Sequence, residues 1–156
     1  MLLSSRGRTF RQKLGALGEK AAIRFYCREG CEILGHDLRF PRGELDIVLR
    51  DGATLVFAEV KTRFWKKLPG RWEEGRPADN LRGQQKRRIY RGAMTYLRFL
   101  GKKKEDLPFR FDIVEVWVTR WGLARLLCHK NAFGARIFAG KKPEKGYYRD
   151  GTPRLF

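Results

Sequence analysis

Gly43-Glu44-Leu45-Asp46-Ile47-Val48-Leu49-Arg50-Asp51-Gly52-Ala53-Thr54-Leu55-Val56-Phe57-Ala58-Glu59-Val60-Lys61-Thr62-Arg63 is the stretch that decides how this chain reads. Apolar residues alternate on both sides of Asp51-Gly52, the pattern of two β-strands joined by a tight turn, with glycine supplying the positive φ such a turn needs. In the first strand Leu45, Ile47 and Leu49 share one face, and Glu44, Asp46 and Val48 the other. In the second, Leu55, Phe57, Glu59 and Lys61 share a face. A two-residue loop pairing Arg50 with Ala53 sets Asp46 opposite Phe57 and diagonal to Glu59. A four-residue loop sets Asp46 directly opposite Glu59. Either even length places Asp46, Glu59 and Lys61 on the same side.

Two carboxylates and an ammonium on a largely apolar sheet need compensation, because a buried carboxylate is costly without a partner. A divalent cation held by oxygen ligands, Mg²⁺ or Mn²⁺, answers that need. Read in isolation, Asp46 is a residue near a turn and Glu59/Lys61 a solvated cross-strand pair, since three common charged residues match such a pattern by chance. The context argues otherwise: the hairpin follows a helix, Glu-x-Lys closes an apolar strand, and the spacing from Asp46 to Glu59 fits one hairpin.

Upstream, residues 1 to about 12 form a basic arm with Arg6, Arg8 and Arg11. A helix is predicted from about Gln12 to Glu29, stopping at Gly30. Its apolar arc is Leu14, Leu17, Ala21, Ala22 and Phe25, with Glu19 and Tyr26 at one border, and Gly15 and Gly18 would let another backbone come close. Glu19 then points along the sheet surface toward the carboxylates of Asp46 and Glu59. A first strand lies around Glu32-Ile33-Leu34, followed by Arg39 before the Pro41-Arg42-Gly43 turn.

Downstream, Phe64 to Ala78 has Pro, Gly, Trp and mixed charge without periodicity, a loop whose Arg63, Trp65, Lys66, Lys67 and Arg71 make it a candidate nucleic-acid clamp. A second helix is expected from Asp79 to about Leu100, with Leu81, Ile89, Ala93, Tyr96, Leu97 and Leu100 buried. Lys86, Arg87 and Arg88 form its basic face and, with Arg39 and Arg63, are candidate phosphate contacts. Two further strands, Arg110 to Thr119 and Leu123 to His129, join at Trp121-Gly122. Asp112 and Glu115 point to opposite faces of the first of these. Asp112 is expected to pair with Arg110 or with a helix arginine and stays outside the catalytic set. The tail from about 139 to 156 reads as a second, loosely ordered basic arm.

These motifs together resemble the YraN family (also called UPF0102), small bacterial proteins similar to archaeal Holliday junction resolvases of the PD-(D/E)xK nuclease superfamily. The matching residues are Gly18-Glu19, Gly43-Glu44-Leu45-Asp46 and Val56-Phe57-Ala58-Glu59-Val60-Lys61-Thr62-Arg63. Arg110-Phe111-Asp112-Ile113-Val114-Glu115-Val116 and His129-Lys130-Asn131-Ala132-Phe133 complete them, spanning positions 14 to 133. The resemblance implies an α/β fold with a restriction-endonuclease-like core, a mixed β-sheet with flanking helices. It also implies metal-dependent cleavage of DNA phosphodiesters, a branched or structured DNA substrate, and a homodimer by analogy. In that reading Asp46, Glu59 and Glu19 hold the metal, Lys61 orients or activates water, and Glu44 helps from further out. Thr62 and Arg63 would touch the neighbouring phosphate. Gln85 and Tyr90 miss the Gln-x-x-x-Tyr spacing some relatives carry on this helix, and Gln85 is given no catalytic role.

Composition sets the bounds. The chain has 156 residues, 42% of them hydrophobic, a length that suits one domain with one core. Against 17 Asp and Glu stand 35 Lys and Arg, a net charge of +18 that attracts polyanions, DNA first and RNA as an alternative. No long apolar run or secretory segment supports a membrane partner. Cys27, Cys31 and Cys128 are odd in number and point to reduced thiols in the cytoplasm. With His36 and His129 the only histidines and no Cys-x-x-Cys pair, a zinc site is not expected. Two other classes share the charge: a nucleic-acid-binding protein with an inactive site on a nuclease fold, and an RNA-directed protein.

Overall fold

The computed structural model describes residues 9–64 and 81–134. Its elements are α1 (Phe10–Arg28), β1 (Glu32–Phe40), β2 (Gly43–Asp51), β3 (Thr54–Phe64), α2 (Gly83–Phe99), β4 (Phe109–Thr119) and β5 (Gly122–Phe133). The strands form one sheet in sequence order, β1-β2-β3-β4-β5. All pairs are antiparallel except β3 and β4, which α2 joins in parallel. This is an α/β fold with a mixed sheet flanked by helices, in keeping with a restriction-endonuclease-like core.

Each helix covers one face. Ile89, Ala93 and Leu97 of α2 pack on Leu45, Val48, Phe57, Phe111, Ile113 and Phe133 of the sheet. Phe111 stacks on Phe133 with centroids 4.7 Å apart, a contact that adds about 0.5–1.5 kcal/mol beyond area burial. Ala22 and Tyr26 of α1 pack on Ile47, Leu49, Val56, Ala58, Val114 and Val116 on the other face.

α1 starts earlier than expected, so the N-terminal arm is shorter than 12 residues. The Thr9 hydroxyl accepts from the Gln12 N–H at 3.3 Å and the Thr9 N–H donates to Gln12 Oε1 at 2.8 Å, a reciprocal cap that begins the helix at Phe10. The buried line of α1 is Gly18, Ala22 and Tyr26, whereas Leu17 is 53% exposed. The expected arc was rotated toward bulk. The real contact line is made by small residues: a Cβ on Gly18 would lie 1.8 Å from Thr62 Oγ1, so the helix sits almost backbone-to-strand there. Nothing comes within 4 Å of a Cβ placed on Gly15, which has no such role.

α2 begins at Gly83 and Leu100 is 44% exposed; Asp79, the expected cap, lies outside the described residues. So do the proposed clamp residues Trp65, Lys66, Lys67 and Arg71, and the tail from 139. The helix packs on the start of β2, where a Cβ on Gly43 would meet Arg88 O and Gly92 N at 2.5 Å. That near-contact of two backbones draws the basic face of α2 alongside the strand that carries Asp46.

Candidate active site at the fork of the sheet

The hairpin turn is Gly52-Ala53, with Asp51 paired to Thr54 and Gly52 at φ 58. The turn has two residues but lies one residue later than the expected Asp51-Gly52, which yields the register that the four-residue loop would have given: carried one step past Ile47–Ala58, it sets Asp46 across from Glu59. The regular ladder stops at that step. Instead of a backbone carbonyl, the Asp46 carboxylate accepts the Val60 N–H at 2.7 Å. β2 turns over at this residue. Ile47 and Leu49 pack under α1, as one face should, but Leu45 packs under α2. The alternation expected over Leu45, Ile47 and Leu49 therefore breaks at Asp46, and the sheet forks between β2 and β3.

Asp46 keeps a small opening to solvent but sits deep among protein atoms. Burial, followed by the neighbouring Glu59 and then Glu19, pushes its carboxyl up to about 8, against the lowering effect of the Val60 N–H. The nearness of the Glu59 carboxylate thus favours a proton on Asp46. On the outer side of Glu59, Lys61 Nζ lies 2.7 Å from Oε1. The side chains of Glu59 and Lys61 are 12% and 31% exposed, so this ion pair is partly withdrawn from water.

Glu19 stands on α1 one residue past the Gly18 notch. Its carboxyl is raised by burial first, then by Asp37, while His36 and Arg39 lower it and Glu59 raises it again. Glu19 thus shares the field of Asp46 and Glu59 without a hydrogen bond to either. Among the described residues no three His, Cys, Asp or Glu side chains are gathered as a ready cage for a metal. The donor set nevertheless fits a hard divalent cation: all-oxygen carboxylates whose mutual repulsion holds a proton on Asp46, a proton that a cation would displace.

The remaining expected residues divide. Glu44 turns away from the site to Arg88, at 3.1 Å across an exposed pair. The Thr62 side chain fills the Gly18 notch under α1, which removes it from the phosphate role expected of it. Arg63 is half-exposed with Nη2 3.8 Å from Glu115 Oε1. Arg39 is exposed and held 3.2 Å from Asp37; Arg87 is exposed and Lys86 half-buried. Gln85 Oε1 accepts the Arg82 N–H at 3.3 Å at the start of α2, a capping role and not a site role.

Asp112 is fully buried and structural. Its oxygens accept from Tyr26 Oη at 3.0 Å, Arg110 Nε at 2.9 Å and the Asn131 N–H at 2.9 Å. The same Arg110 reaches Asp51 at 2.9 Å, tying the hairpin turn to β4. Sequence reasoning passed over Glu115. It is in register with Lys61, is buried, and lies 3.7 Å from His129 Nε2. Burial raises its carboxyl, and Arg63 and Arg125 pull it back down. Its placement on the face opposite Asp112 was the available signal.

Comparison with known proteins adds a lineage. The model of the uncharacterised protein family UPF0102 matches residues 18–116. A UPF0102 protein of Symbiobacterium thermophilum is 38% identical over 124 residues, 80% of this chain and 98% of the relative. One of Pelotomaculum thermopropionicum is 37% identical over 79% of this chain and 97% of its own length. One of Desulfosudis oleivorans is 36% identical over 83% of this chain and 96% of its own. The matched span contains Glu19, Asp46, Glu59 and Lys61.

Proposed function

The chain belongs to the uncharacterised protein family UPF0102, and from that footing we propose that it is a Mg²⁺- or Mn²⁺-dependent endonuclease that hydrolyses DNA phosphodiesters. The observation that carries the reading is the fork itself. Asp46 is bound to the Val60 N–H, Glu59 adjoins it, and Lys61 lies 2.7 Å from Glu59, all at the edge of a chain with a net charge of +18. Asp46 and Glu59, with Glu19 completing the set, would hold the cation. When bound, such an ion supplies a nucleophile at neutral pH and offsets charge on the phosphate. Asp46 would hold the ion as the deprotonated carboxylate, and the Lys61 ammonium would face the phosphate oxygens, where negative charge grows in the transition state. Arg39, Arg63, Lys86, Arg87 and Arg88 hold the flanking phosphates. Branched or structured DNA is the expected substrate from the family resemblance, and two such sites in a homodimer would cut both strands.

The test is cleavage of single-stranded, duplex and four-way DNA, with RNA controls, with and without Mg²⁺ or Mn²⁺. Lys61→Ala should lower the rate about 10²-fold or more while leaving DNA affinity nearly intact, because many other basic residues share the phosphate contacts. Equal losses of binding and rate would reduce Lys61 to a phosphate contact. A second reading, a nucleic-acid-binding protein with an inactive site, draws on Lys61 being already paired with Glu59 and on the ungathered carboxylates. Tight DNA binding with no cleavage under any metal would establish it.

A further inference from the structure

One end of the sheet carries more than the site. β3 and β4 run parallel, so their C-terminal ends lie side by side, with Phe64 paired to Val118. The turn that follows β4 holds Arg120 and Trp121. α1 begins at the same end, for Phe10 meets Phe64 edge to face with ring centroids 5.4 Å apart. Three aromatic side chains therefore lie at one end of the sheet, Phe10 against Phe64 and Trp121 in the β4–β5 turn, and all are open to solvent: Phe10 is 63% exposed, Phe64 38% and Trp121 79%. The chain buries Phe57, Phe111 and Phe133 completely, so exposure of this group is not a shortage of core. Phe99, also exposed, stands at the opposite end of the sheet beside Leu100.

The charge around these rings selects what covers them. The Arg120 guanidinium lies 4.5 Å from the centroid of the Trp121 ring, and Arg11 follows Phe10 in α1. A second copy of the chain would bring +18 against +18. The complementary occupant has flat apolar faces strung on negative charge, which is a nucleic acid strand. Within continuous duplex those faces are stacked on one another and only base edges are offered. In an unpaired segment they are free to stack on protein rings.

We infer that Phe10, Phe64 and Trp121 form a stacking platform for unpaired bases, and that the nucleic acid this chain handles presents single-stranded nucleotides beside the phosphate held at Lys61. The placement beside the phosphate rests on the nuclease reading of the site; the stacking itself does not. Phe64 stands three residues past Lys61, about 10 Å along an extended strand and, at an odd spacing, on the opposite face of the sheet, so a nucleic acid strand that reaches both passes over the end of β3.

The experiment measures binding of the full chain to a labelled single-stranded oligonucleotide and to the matching blunt duplex, in chelator and over a range of salt. Trp121→Ala, Phe10→Ala and Phe64→Ala should each weaken single-strand binding about tenfold, leave duplex binding within about twofold, and leave the salt slope unchanged. Trp121 lies in a turn and is mostly exposed, so its variant carries the test even where Phe64→Ala fails to fold. Single-strand affinity equal to wild type in Trp121→Ala overturns the proposal. So does an equal loss on both ligands, or sedimentation showing that the substitution splits a dimer while single-strand binding is untouched. Chelator keeps cleavage out of the readout, so a protein that stacks bases yet cuts nothing would sink the nuclease reading and leave the platform standing.

Discussion

Asp46 bears a cost that its replacement should reveal. Its folded pKa, near 8, lies above its ordinary value of 3.8. A raised pKa means the group favours the folded state fully below about pH 4 and loses that contribution as pH climbs through 8. Asp46→Asn keeps an oxygen for the Val60 N–H but cannot ionise. Without divalent metal it should be more stable than wild type by about 1–3 kcal/mol at pH 9, with the difference fading toward pH 4. Denaturant titrations at the two pH values check this, and equal stabilities at pH 9 would mean that the carboxylate ionises unhindered. Asp46, Glu59 and Lys61 were legible because a strand has a period of two and an even loop preserves it. Which of the two registers holds was not, since it depends on where the turn closes. Nor was the role of Glu115: alternation gives its face on β4, but its burial beside Arg63 and His129 depends on neighbours from β3 and β5.

α1 shows how an element can be read correctly and still be turned the wrong way. Leu17 outweighs Gly18 on any scale of hydrophobicity, yet Gly18 makes the closest contact with the sheet, and a residue without a side chain leaves no apolar signal. The two glycines of the helix should respond oppositely to the same change. Gly18→Ala drives a methyl into Thr62 and should cost about 1–3 kcal/mol, relieved in part by Thr62→Ala. Gly15→Ala meets nothing and should gain up to about 1 kcal/mol from helix propensity. Thermal or denaturant unfolding of the three variants decides it, and a Gly18→Ala protein as stable as wild type would refute the close packing of α1. The start of the helix was misjudged for a related reason: Thr9 and Gln12 are polar residues in a basic stretch, and only their reciprocal hydrogen bonds mark the boundary.

On the scale of the molecule, a mixed sheet built on the hairpin with a crossover helix before the last strands was legible from alternation and from the long helical segment; the strand order was not. The same topology places the carboxyl ends of β3 and β4, the start of α1 and the start of α2 together, where open α/β sheets receive their ligands. With +18 spread over 156 residues, DNA affinity should fall steeply between about 50 and 200 mM salt, by an order of magnitude or more. Anisotropy titrations measure the slope, and an affinity indifferent to salt would remove nucleic acid as the main partner. The fork between β2 and β3 has a consequence of another kind. A backbone amide inside a sheet is normally guarded by a carbonyl, whose grip does not change. The amide of Val60 is guarded by the carboxylate of Asp46, whose charge and orientation do. Its proton should therefore trade with solvent deuterium at a pace set by the ionisation of that one side chain and by whatever the carboxylate is holding. A single peak in a nitrogen–proton spectrum would then report the state of the site from within the main chain.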